Sequence, residues 1–127
     1  MRSAVTFTQR GDFSNTKKFL KRVSSKNFQQ MLHAYGKRGV EILSAVTPKK
    51  TGLTAASWDY NIEITKDSIT INWTNSNISQ GIPVALLIEW GHATRNGGWV
   101  EGIDYINPVM QPIFDEMSRE IWREVTK

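Results

Sequence analysis

His92 lies a short distance after Glu89 and ahead of Asn96 and Asp104, a set that could supply a general base or metal ligands if folding gathered it. The other histidine, His33, follows Leu32 in a helical pattern, where packing or solvent accounts for it. The parts needed to complete either chemistry are missing. Glu89-Trp90-Gly91-His92 is not the helical His-Glu-x-x-His of zinc proteases, and the chain holds only 2 histidines and no cysteine. There is no Gly-x-Ser-x-Gly, no phosphate-binding Gly-x-x-x-x-Gly-Lys and no dinucleotide fingerprint, and Gly97-Gly98 is a loop signal. The expectation is therefore no catalytic residue, no metal site and no cofactor, with a hydrolase centred on His92 as a distant alternative.

The tryptophans divide by context. Trp58, Trp73 and Trp122 fall on apolar stripes and are expected in a core shared with Leu53, Ile62 and Ile71. Trp99 sits in a polar, glycine-containing loop, where a partner could bury it or the loop could fold back over it.

The elements that position these residues can be read from periodicity. Residues 1–11 form a polar arm, flexible or docked on a neighbour, or else an edge strand in which Val5 and Phe7 alternate with threonines. Asp12 or Ser14 can cap a short helix through Val23 with a basic face of Lys17, Lys18, Lys21 and Arg22. A long N-terminal amphipathic helix follows from a cap at Ser25, with Phe28, Leu32, Tyr35, Gly39, Ile42, Leu43 and Val46 on one side, until Pro48 stops it. Gly36 and Gly39 each cost up to about 1 kcal/mol against alanine, which suits a close approach by a packed element or a bend.

Gly52 ends a turn that calls for a positive φ, and Trp58, Tyr60, Ile62 and Ile64 then alternate with polar residues. Ile69, Ile71 and Trp73 alternate likewise after a turn at Lys66-Asp67-Ser68, so the two runs predict an antiparallel hairpin. The apolar run Pro83 to Trp90 suits a buried strand or a short helix. Gly91 lets the chain reverse, Pro108 suits the first turn of a last helix, and Pro112 is expected within or just before that turn. That helix is expected to bury Phe114, Met117, Ile121, Trp122 and Val125. The fold class is α+β, with the long helix and the C-terminal helix packed on a small antiparallel sheet in a single domain spanning 1–127.

The net charge of +4 hides an asymmetry. Residues 1–63 hold 11 Lys/Arg and 4 Asp/Glu, whereas residues 64–127 hold 5 and 8. Contact of the basic half with nucleic acid, a basic surface meeting an acidic one on the next subunit, and plainly solvated faces all fit this split. No apolar run approaches the roughly 18 to 20 residues that span a bilayer, and the first residues lack the apolar centre of a signal peptide, so a cytoplasmic protein without membrane contact is expected.

Two segments carry a resemblance: Ala45-Val46-Thr47-Pro48-Lys49-Lys50-Thr51-Gly52-Leu53-Thr54-Ala55-Ala56-Ser57, and Leu86-Leu87-Ile88-Glu89-Trp90-Gly91 followed by Tyr105-Ile106-Asn107-Pro108. In this order and spacing they resemble the neck and tail-completion proteins of tailed bacteriophages, the head-tail joining family that includes the minor tail protein Z. His92 stands where the family commonly has threonine, and Asn96-Gly97-Gly98-Trp99 replaces a proline-rich loop. The resemblance favours helix for Pro83 to Trp90. It implies a structural virion protein, assembled in the host cytoplasm, that forms a ring of about six subunits. Such a ring would join a head-closure or connector protein to a tail terminator or tail tube and pass DNA without sequence specificity. A tail terminator is the alternative within the virion, and a small basic nucleic-acid-binding protein the alternative outside it. In a ring, Lys17, Lys18, Lys21 and Arg22 would meet Glu116, Glu120 or Glu124 of a neighbour or face the channel. Trp99 is the aromatic contact candidate, with Pro48, Gly52, Gly91 and Pro108 as structural turns.

Overall fold

A computed structural model of the chain describes residues 3–10, 25–48, 52–65, 68–94 and 96–125. Among them the protein is α+β, with three helices and small antiparallel sheets. The chain opens with strand β1 (Ser3–Arg10), so the expected long N-terminal helix is not what begins the fold. Of the two options for this stretch, arm or edge strand, the strand is observed, paired along β3 of its own chain. The basic helix expected from Asp12 or Ser14 to Val23 lies outside the described residues.

Helix α1 (Lys26–Val46) follows, its first turn capped by Ser25, whose hydroxyl accepts the Phe28 N–H at 3.2 Å. Phe28, Leu32, Tyr35, Gly36, Gly39 and Leu43 are buried along one stripe, as a 3.6-residue period requires. A 3-10 turn (Ala55–Ser57) leads into β2 (Trp58–Ile64) and β3 (Ser68–Asn75), the hairpin predicted from alternation. The sheet order is β1-β3-β2, with Tyr60 opposite Trp73 and Ile62 opposite Ile71 on the face that meets α1. Short strands β4 (Ile78–Ser79) and β5 (Ile82–Pro83) pair, helix α2 (Val84–Trp90) follows, then the ribbon β6 (Gly91–Ala93) with β7 (Trp99–Glu101), and helix α3 (Asn107–Val125).

Two large residues bring helix and sheet close. A Cβ on Gly39 would fall inside contact distance of the Trp73 indole, and one on Gly36 inside the Tyr60 ring. Trp73 Nε1 donates to Gly36 O at 3.0 Å, so the fully buried indole also satisfies its polar atom. Close approach, rather than a bend, explains these two glycines. From the other side Phe114 of α3 packs 5.8 Å from Trp73 and 5.4 Å from Phe7, ring centre to ring centre.

The expected core is corrected at two places. Trp58, Ile71 and Trp73 are buried and Ile62 packs at the margin, but Leu53 and Trp122 are more than half exposed. The buried stripe of α3 runs through Met110, Ile113, Met117 and Ile121, which turns Trp122, one residue on, out of it. Pro112 lies one turn inside α3, removing an N–H from the helix ladder beyond the first turn where it was expected, while Pro108 keeps its place near the start.

Candidate functional site

The two segments that carried the resemblance fold into two polar clamps. At the first, Thr47 ends α1 and its hydroxyl both donates to Leu43 O at 2.5 Å and accepts the buried Trp58 Nε1–H at 2.9 Å, so the helix end is tied to the start of β2. Pro48 follows directly. Gly52 takes φ +77°, Ala56 N–H reaches its carbonyl, and Ser57 Oγ donates to Leu53 O at 2.6 Å. Asn75, fully buried, donates to Thr54 O at 2.8 Å, and Asn77 donates to Thr54 Oγ1 at 2.8 Å. Sequence reasoning missed Asn75, because a polar residue ending an alternating run gives no sign that a turn residues away will pair with it.

At the second clamp, Glu89 of α2 accepts the N–H groups of Tyr105 and Ile106 at 3.3 Å each. These donors precede α3, so Glu89 supplies a cap from another helix. Tyr105 Oη donates to Ala85 O at 2.7 Å and Ile103 N–H to Ile88 O at 2.9 Å, closing the two segments on each other. Burial pushes the Glu89 carboxyl up to about 7, a hydrogen bond and the charge of Asp104 push the same way, and the N–H groups of Ile106 and Tyr105 oppose them. Burial also raises the Tyr105 phenol, to about 12.

The candidate set around His92 is not brought together as a reactive group. Glu89 is engaged with Asp104 and the start of α3, and Asn96 lies exposed in the turn between β6 and β7. His92 stands on β6 opposite Val100, with its Nδ1 buried and without a hydrogen-bond partner. Among the described residues no three of His, Cys, Asp and Glu gather as a metal would require. His33 instead meets Tyr60 Oη at 2.8 Å, edge to face, beside the outer strand β2.

What the second clamp does present is apolar surface. Trp90 at the end of α2, Trp99 and Val100 on β7, and Ile103 two residues past the ribbon are 55%, 60%, 43% and 53% exposed. Gly91 makes the ribbon possible: it has φ +84°, and a Cβ there would lie 2.6 Å from Val100 O and 3.0 Å from Trp99 Cζ2. The Trp99 ring thus lies over the Gly91 backbone and remains more than half open to solvent.

The acidic residues expected at an interface have partners within the chain. Glu116 pairs with Arg38 at 3.0 Å on the surface, Glu120 accepts the Tyr35 hydroxyl, and Glu124 is also engaged. Burial first, and Glu120 next, raise the Tyr35 phenol. Lys17, Lys18, Lys21 and Arg22 lie outside the described residues. Among the described residues no helix is long and apolar enough to cross a membrane. No protein-family model, curated protein or solved structure matches the chain.

Proposed function

We propose that this chain is a ring-forming structural protein of a tailed-phage neck, a tail-completion protein that joins the head connector to the tail and leaves a channel for DNA. The observation that carries this reading is the exposed group Trp90, Trp99, Val100 and Ile103, held in place by the Glu89 clamp and the Gly91 ribbon. Large apolar side chains clustered at one end of a small domain favour burial against a partner, and aromatic residues dominate such contacts. The resemblance of the Thr47 to Ser57 and Leu86 to Pro108 segments supplies the class of partner: further copies of the chain, a head-closure protein and a tail terminator or tube.

The test is placement in the particle. Lysates infected with a phage that encodes this chain, its gene bearing a stop codon, should accumulate DNA-filled heads and separate tails, and supplying the wild-type chain should join them. Complementation by Trp99→Ala with Ile103→Ser should fail although the variant is folded. Normal joined particles without the chain would overturn the proposal.

A further inference from the structure

We propose that successive copies of this chain join through their sheets, the open edge of β2 in one copy receiving β1 of the next as a parallel fourth strand. The inference deepens the ring reading and rests on it for closure into a ring, but the edges themselves are read from the fold. In the order β1-β3-β2, both outer strands pair only inward among the described residues.

The ladder phase shows which groups the edges offer. At the two ends of the hairpin Ser76 N–H donates to Ser57 O at 3.1 Å and Thr65 N–H to Ser68 O at 2.9 Å. Antiparallel pairs alternate between bonded and non-bonded, so Asp59, Asn61 and Glu63 face β3 while Tyr60, Ile62 and Ile64 turn their N–H and C=O outward. Tyr60 fits this, since its N–H goes to the Asp59 carboxylate at 2.8 Å. The same phase carried across β3 turns Thr6 and Thr8 of β1 outward.

Charge selects the pairing. Two copies of β2 joined about a two-fold axis centred on Asn61 would set Asp59 against Glu63 twice, and like charges directly opposite destabilise a sheet. Strand β1 carries Arg10 instead. Because β1 and β2 both run antiparallel to β3, they run parallel to each other, and Arg10 (opposite Ser68) lies at the same end as Glu63 (opposite Thr70). Repeating the sheet sideways without turning it over sets Arg10 of one copy beside Thr65 of the other and diagonal to Glu63, two residues along the strand on the same face and within reach of a long side chain.

The surroundings of β2 also suit the added strand. On the solvent face Ser3 and Thr6 donate to Asn72 Oδ1 at 3.0 Å each, and Asn72 Nδ2 donates to Asn61 Oδ1 at 3.1 Å. This polar row runs from one edge to the other, and a neighbour's Thr6 or Thr8 would extend it past Asn61. The β2 edge borders an open groove of about 540 Å³ lined by Gln29, His33 and the β2 residues Asp59, Tyr60, Asn61, Ile62 and Ile64, where the backbone of a neighbour's β1 would lie while its Phe7 stays packed on Phe114 of its own copy. An interface using two different edges is head-to-tail, and it closes into a ring when the rotation per copy allows.

The chain has no cysteine, so engineered cysteines report cleanly. Thr6→Cys combined with Asn61→Cys, and Thr8→Cys combined with Asn61→Cys as a register control, should give a ladder of disulfide-linked oligomers on oxidation. The two positions sit two strands apart in one copy, roughly 10 Å, too far for an internal bridge. Glu63→Arg should abolish assembly, and adding Arg10→Glu should restore it, with unchanged circular dichroism throughout. Dimers from Asn61→Cys alone would show two-fold pairing and overturn the proposal. Rings that form with neither double variant cross-linking would overturn it while leaving the ring reading intact, and a chain that stays monomeric under every condition would overturn both.

Discussion

Trp73 and Trp99 are built on the same device and end in opposite states. Each ring lies against a backbone where only glycine fits, Gly39 for Trp73 and Gly91 for Trp99. Trp73 is then closed in by Phe114 from α3 and is fully buried, whereas among the described residues Trp99 has no second layer over it and is 60% exposed. The glycine sets where an aromatic ring lies. The next layer decides whether that ring holds the fold together or stays open to solvent.

The largest expected effect is on the closed side. Trp73→Ala should lower unfolding free energy by about 3 to 5 kcal/mol, measured by denaturant titration, since it leaves a cavity between both helices and removes the bond to Gly36 O. A loss below about 1 kcal/mol would mean that this layer is not the core. Gly39→Ala should cost roughly 1 to 3 kcal/mol from overpacking, despite the better helix propensity of alanine, because the indole it meets is pinned on both sides. A stabilised variant would show that the contact can relax.

The Glu89 clamp lies between the two regions and should respond to pH. Its folded-state value, about 7, is above that of an unfolded glutamate, so the contribution of its proton is full below about 4.5 and is lost as pH rises through 7. Relative to Glu89→Gln, the wild-type melting temperature should therefore fall between pH 5 and pH 7.5 by scanning calorimetry. Parallel curves would mean that the capping N–H groups outweigh burial. The smallest effect on stability is expected at the open end, where Trp99→Ala should change unfolding free energy by less than about 0.5 kcal/mol while removing association.

Local repetition made much of the closed region readable from sequence. Alternation through Trp58 to Ile64 and Ile69 to Trp73 marks the hairpin, and the Phe28 to Leu43 stripe marks α1. Where a residue's fate depended on a single step around a helix, as for Trp122 beside Ile121, periodicity placed it wrongly. The open region was legible only in outline. Trp99 stood out as an aromatic in a polar loop, but strands of two or three residues such as β4 and β6 show no period, and the cap that Glu89 gives to a distant helix start is a tertiary contact. Among the described residues the unpaired outer edges of β1 and β2 follow from strand order, which the alternation does not encode.

The proposal that this domain is one unit of a closed ring is tested most directly by native mass spectrometry of the purified chain over a range of concentrations. The expected result is a single closed species of about six chains that persists on dilution and is absent for Trp99→Ala with Ile103→Ser. A monomer at every concentration, or an open series of oligomers unaffected by those substitutions, would contradict it.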